Sequence, residues 1–245
     1  MFSSTLEESL RQYLLHFDGH EKDSSPSFEL AFDAIYHKAF YNRISSKEVI
    51  SRDGLLQIQK QHLATGSRVL LVSYKHISMS IIHYELCIIP NDPLSSYQSC
   101  TNISEVKDGK IIRPLKSRVK EFDATALNII ETKLNAYIGV FDGTAKPFSE
   151  MEEPFEDLYS SEFIEEVPDG SPLTKQEMRS FVTGLLFVGT SAQLVSFIPL
   201  DETHFKAIMY FENDFSNTLV ESTGTIKDGK IASLQTFRRE RERGS

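Results

Sequence analysis

The chain has 245 residues, enough for two domains of ordinary size, and its 40% hydrophobic and 25% charged content describes a folded globule rather than a disordered chain. No stretch approaches the ~18–20 apolar residues of a membrane span, and the first residues carry neither the basic segment nor the long apolar run of a secretory signal, so a cytoplasmic protein with no membrane contact is expected. The net charge of −9 is uneven, with 15 Lys/Arg against 14 Asp/Glu in residues 1–121 and 11 against 21 in residues 122–245, a field that repels nucleic acid.

In chain order, Leu6, Leu10, Tyr13, Leu14 and Phe17 recur at helical spacing and predict an amphipathic helix. Ser4 or Thr5 suits its N-cap, with Glu7 or Glu8 completing a capping box, and Asp18-Gly19 its stop. Phe32 to Tyr36 predicts a short second helix. Ser45 with Glu48 reads as the capping box of a third helix ending near Gly66, with Ile44 and Val49 as its hydrophobic staple. The period then changes to two, predicting strands at Arg68–Ser78, Ser80–Ile89, Tyr97–Val106 and Lys110–Val119, with Asp108-Gly109 as a tight hairpin turn. Cys87 and Cys100 fall in these strands, read as small buried hydrophobes and are too few for a disulfide framework. Pro114 to Asp123 reads as a polar linker.

The same order then returns. Leu127, Ile130, Leu134, Tyr137 and Phe141 form a helical stripe stopped by Asp142-Gly143; Phe155 to Tyr159 matches Phe32 to Tyr36; Thr174 and Glu177 form a capping box, with Leu173 and Met178 as staple and an end near Gly189. Read from Ser45 and Thr174, the first of the two third helices is longer by 6 residues. Strands are predicted at Gln193–Leu200, His204–Glu212, Thr218–Ile226 and Lys230–Arg238, with a second hairpin turn at Asp228-Gly229. Tyr13 and Tyr137 stand 124 residues apart and the two Asp-Gly turns 120 apart, a period of a whole domain. The expectation is a tandem duplication into domains 1–121 and 122–245, each α+β with three helices followed by an antiparallel meander.

That order, with a tyrosine on the first helix and a late strand Ser222-Thr223-Gly224-Thr225-Ile226-Lys227 running into Asp228-Gly229-Lys230-Ile231, resembles the nuclear transport factor 2-like superfamily, which includes ketosteroid isomerase and the SnoaL-like polyketide cyclases. The resemblance spans nearly the whole chain, once per half. It implies two tandem cystatin-like cones, each with three N-terminal helices on a curved, mixed but mainly antiparallel sheet around an apolar pocket. It also implies an internal pseudo-dimer of the two cones. Tyr13 and Tyr137 stand where isomerase-like members carry an oxyanion-stabilising tyrosine; the same position suits a core tyrosine with its hydroxyl bonded. The family's aspartate base has no acidic counterpart here: Val167-Pro168 stands in the second half, with Glu166 beside it, and Asn42-Arg43-Ile44 in the first. The second family acid falls near Asn102 or Ser222.

His83 and Glu85, two apart on one strand, share a face and form a further candidate pair for proton transfer, or an ordinary outer sheet face. Tyr13, Phe17, Tyr36, Tyr137, Phe141 and Tyr159 are the expected ligand-lining aromatics. Glu150 to Asp169 holds nine acids and no base, either a solvated face or a docking site for a basic protein, the tail Arg238 to Arg243 included. No metal-ligand spacing, phosphate-binding loop or nucleophile elbow occurs, so no cofactor and no metal are expected. The leading functional expectation is a module binding a small apolar ligand or a protein partner without catalysis. The alternatives are a cofactor-independent isomerase, cyclase or dehydratase using Tyr13 or Tyr137 with His83 and Glu85, and a structural scaffold.

Overall fold

A computed structural model describes residues 3–20, 25–44, 48–92, 95–168 and 170–240. The chain divides into two compact units, Met1–Phe122 and Asp123–Ser245. Each is α+β, with helices on a curved sheet.

In the first unit, α1 (Ser3–Leu14), α2 (Pro26–Ile35) and α3 (Arg52–Ala64) precede β3 (Arg68–Ser78), β4 (Ile81–Ile89), β5 (Tyr97–Lys107) and β6 (Lys110–Phe122), an antiparallel sheet in sequential order. A small hairpin of β1 (Tyr41–Arg43) and β2 (Val49–Ser51) sits between α2 and α3. The predicted stripe Leu6, Leu10, Tyr13, Leu14 and Phe17 is buried and joins Phe28, Phe32, Ile82, Tyr84 and Ile111 in one core. Burial of such side chains is the main force holding helices to sheet.

In the second unit, α4 (Thr125–Ile138), a short 3-10 turn (Phe148–Glu150), α5 (Glu152–Leu158) and α6 (Lys175–Phe187) lie with β9 (Ser191–Pro199), β10 (His204–Glu212), β11 (Asn217–Lys227) and β12 (Lys230–Glu240). Here β7 (Tyr159–Glu166) and β8 (Leu173–Thr174) extend the sheet to six strands in the order β8-β7-β12-β11-β10-β9. The β7–β12 pairing is parallel, which makes the sheet mixed. Its core gathers Leu127, Ile130, Phe155, Phe163, Val182 and Phe205.

The two units share several local features. Tyr36 and Tyr159 both end the second helix, each donating its backbone N–H to the carbonyl four residues back, Phe32 or Phe155. Both then meet the last strand in parallel, Tyr36 beside Ile111 and Tyr159 beside Ile231. Asp108 and Asp228, at φ 51° and 53°, take the left-handed conformation that their hairpin turns require.

Four expectations change. The third helix of the first unit starts after Ser51, whose hydroxyl accepts from the Gly54 N–H; Ser45 lies outside the described residues, and Ile44 and Val49 are exposed around the β1–β2 hairpin. With that start, α3 and α6 are both 13 residues long and the expected six-residue difference disappears. Helices α1 and α4 end four residues before Asp18 and Asp142; these aspartates instead bridge to Arg68 and Ser191, and Gly19 and Gly143 (φ 95° and 88°) turn the chain away from that bridge. The expected linker is strand: β6 stays paired with β5 as far as Phe122, and Pro114 is accommodated because it lies beside a bulge on the sheet edge. The side chains of Ser4 and Thr5, offered as the first N-cap, lie outside the described residues. Among the described residues no helix is long and apolar enough to cross a membrane.

Candidate ligand site

In the second unit the helices stand off the sheet far enough to leave a cavity of about 270 Å³. Its walls are mostly apolar, with Met178, Val182 and Leu185 from α6 facing Met209, Val220 and Leu234 from the sheet. Eight polar side chains line it: Tyr137, Tyr159, Glu165, Asn213, Ser216, Thr218, Ser222 and Arg238.

Tyr137 comes from the buried stripe of α4 and Tyr159 from the α5–β7 junction. Their rings meet edge to face at 5.7 Å and their hydroxyls are hydrogen-bonded. Burial holds both phenols well above the ordinary tyrosine range, and the Glu165 charge pushes them the same way. Glu165 is the unexpected member. It is only 2% exposed, one carboxylate oxygen lies 3.4 Å from an Arg238 guanidinium nitrogen, and the other, Oε2, is buried with no hydrogen-bond partner among the described residues. A buried acceptor left unpaired costs free energy until something donates to it. Arg238 is held from its far side by the Phe181 ring, 4.7 Å below the guanidinium carbon. Ser222 is tied to Thr236 at 2.9 Å, both buried.

Glu165 reaches the cavity through strand alternation. Phe163 and Glu165 face inward while Ile164 and Glu166 face outward, so β7 turns an apolar residue to solvent and a charged one to the core. The signal was available in the sequence: alternation from the apolar Phe163 puts Glu165, and not the adjacent Glu166, on the inward face.

The first unit lacks this arrangement. Glu165 stands opposite Leu173 of β8; the corresponding pair is Asn42 opposite Ile50, each 123 residues earlier, so an amide replaces the acid. Tyr13 donates its hydroxyl to Gln59 at 3.1 Å and packs against Phe17, Phe28, Phe32 and Tyr36, with ring centres 5.4 to 6.4 Å apart. Rings occupy the centre of this core. Phe141 packs behind Tyr137, against Phe211.

His83 and Glu85 approach to 3.7 Å, and Ser73 donates to Glu85. Their neighbours Ile82 and Tyr84 point into the core, so this pair lies on the opposite face of the sheet from Tyr13, and the two are not assembled into one site. Five acids of the stretch pair with bases of their own unit. Glu152 pairs with Arg179, Glu156 with Lys175, Asp157 with Lys133, Glu162 with Lys227 and Glu165 with Arg238, at 2.6 to 3.6 Å. Asp169 and Arg241 to Arg243 lie outside the described residues. Among the described residues no cluster of His, Cys, Asp and Glu suits a metal ion.

No protein-family model and no curated protein sequence matches the chain. Solved structures do. A nuclear transport factor 2-like protein of unknown function from Burkholderia xenovorans is 10% identical, covering 49% of this chain and 90% of its own, with a TM-score of 0.40. A candidate SnoaL-like polyketide cyclase from Jannaschia sp. is 9% identical over 48% of this chain and 87% of its own (TM-score 0.37). An epoxide hydrolase from M. tuberculosis is 8% identical over 46% and 84% (TM-score 0.36). In fold, this chain is similar to nuclear transport factor 2-like proteins, over about half its length at a time.

Proposed function

We propose that the chain is a tandem duplication in which the second unit binds a small, mainly apolar molecule carrying a hydrogen-bond donor. The observation that carries this reading is the unpartnered Glu165 Oε2 beside an apolar cavity of about 270 Å³. That volume is at the small end for ligand sites, which suits a compact molecule. The apolar walls supply affinity by burial, and Glu165 supplies direction, because a ligand donor would satisfy the oxygen that the protein leaves bare. The first unit, with Asn42 in place of the acid and its centre occupied by rings, contributes structure. Native mass spectrometry of protein isolated from its own source, before and after denaturation, tests this. A released organic molecule is expected, with at least tenfold less carried by Glu165→Gln; wild-type protein leaving its source with no bound molecule would refute the reading.

A second reading is favoured by the same carboxylate. An acid with one bare oxygen beside two hydrogen-bonded tyrosines in an apolar cavity has the parts needed to remove a proton next to a carbonyl and stabilise the resulting oxyanion. In that case Glu165 is the base and the Tyr137–Tyr159 pair the donor. Turnover of a ketone, lactone or epoxide that Glu165→Gln abolishes and Tyr137→Phe slows would establish it; the unchanged activity of Glu165→Gln would exclude it.

A further inference from the structure

We infer that the ligand of the second unit ends in a neutral group that donates and accepts hydrogen bonds at once, as a lactam, a carboxamide or a hydroxyl does. This rests on the ligand-binding reading above and names the chemistry of the ligand's polar end.

The protons at the Glu165 end of the cavity do not balance. Tyr137 and Tyr159 each carry one hydroxyl proton, and the two phenols are hydrogen-bonded to each other. One bond between two hydroxyls uses one proton, so the second has no acceptor within the pair. Glu165 Oε2 is the converse, a buried acceptor with no donor among the described residues. A spare donor and a bare acceptor therefore line one cavity without meeting.

The fold holds both in place. Glu165 is fixed on β7, paired with Leu173 on one side and Leu234 on the other, and its first carboxylate oxygen turns to Arg238 at 3.4 Å. Tyr159 sets its ring against Phe155 and Phe163, with ring centres 5.0 and 4.5 Å away, and Tyr137 sets its ring against Phe141 at 5.6 Å. Each unmet group costs free energy, and a ligand that bridges them recovers both terms. A ketone or ether answers only the phenol, and an N–H alone answers only the carboxylate. Glu165 already has a countercharge in Arg238, so an ammonium or carboxylate head would unbalance a matched pair inside apolar walls. The head that fits is neutral and two-sided.

Isothermal titration of the full chain with 2-oxindole, 2-indanone and indole tests this. All are neutral bicycles of nearly one size; the first sets an N–H beside a C=O, the second has only the C=O and the third only the N–H. 2-Oxindole is expected to bind at least about tenfold more tightly than either, since a site built around hydrogen bonds rejects an analogue that leaves one unmade. In Glu165→Gln the amide oxygen stays with Arg238 and the NH2 faces the cavity, a donor where an acceptor stood, so the advantage over 2-indanone should be lost. Indole binding as tightly as 2-oxindole would overturn the two-sided head and leave the ligand-binding reading standing. 2-Indanone binding as tightly would overturn both, because the donor would then contribute nothing. An advantage over 2-indanone that survives in Glu165→Gln would remove Glu165 as the acceptor and overturn the inference. Binding by none of the three would mean that water serves both groups, and would overturn both readings.

Discussion

Gly224 on β11 shows how tightly the sheet of the second unit is packed at single atoms. A Cβ added there would lie 2.3 Å from the Phe205 ring and 2.8 Å from a Leu234 methyl. Phe205 cannot retreat, since it is 1% exposed and stacked on Phe197 at 5.0 Å. Gly224→Ala therefore forces a ring off its rotamer or a strand off its register, at a cost of about 1–3 kcal/mol. The denaturation midpoint should fall with the slope unchanged; an unchanged midpoint would mean that the ring has room the packing does not show. The same scale explains what a sequence reading misses at Glu165. Residue type argues for the surface, since charged residues are almost never fully buried without a partner. Only the alternation through Phe163 and the arrival of Arg238 from a strand 73 positions later bring it inward, and the second of these is invisible locally.

Among the elements, the long amphipathic stripes and the late strands were legible because each carries its own periodicity. The strands between the second and third helices were not. Strand β7 reads Tyr-Ser-Ser-Glu-Phe-Ile-Glu-Glu, rich in acids and poor in β-branched residues, and it is a strand because β12 pairs with it in parallel from far along the chain. The third helix of the first unit has two plausible serine caps six residues apart, and the choice falls to Ser51 because the β1–β2 hairpin occupies the residues before it. Lys-Asp-Gly-Lys-Ile, which locally specifies only a turn, has a second task in both units: Lys110 donates to the Asp33 carbonyl and Lys230 to the Glu156 carbonyl, placing a cation at the end of the second helix. The caps give a direct comparison. Thr174 forms a full capping box with Glu177, whereas Ser51 has Gly54 at the equivalent position and makes only the single bond. Thr174→Ala and Ser51→Ala should each cost about 1 kcal/mol, with Thr174 the larger, since its loss also removes the bond its hydroxyl donates to the Glu177 carboxylate. Thermal unfolding of the two variants side by side checks the order, and the reverse ranking would show that the box adds nothing.

For the whole molecule, each unit closes its own core, and each core contains two buried tyrosines: Tyr13 and Tyr84 in the first, Tyr137 and Tyr159 in the second. Burial pushes Tyr84 up to about 12 and raises the other three as well. A phenol is neutral when protonated, so a raised value in the fold means that the folded state keeps a proton the unfolded chain gives up near pH 10. The contribution is complete below about pH 10 and is lost as pH rises from there through about 12, because over that window the unfolded state ionises and the folded state does not. Stability should therefore be level from neutral pH to about 10 and then fall steeply. The tyrosinate absorbance of these four residues should appear together with loss of secondary structure rather than before it, while exposed tyrosines ionise earlier. Following ultraviolet absorbance and circular dichroism along one alkaline titration separates the cases. If all the phenolate signal develops near pH 10 with the secondary structure intact, hydroxide and water reach these rings in the folded protein, and neither core is closed. If only Tyr137 and Tyr159 ionise early, the opening is confined to the second unit, where a cavity lies beside both hydroxyls.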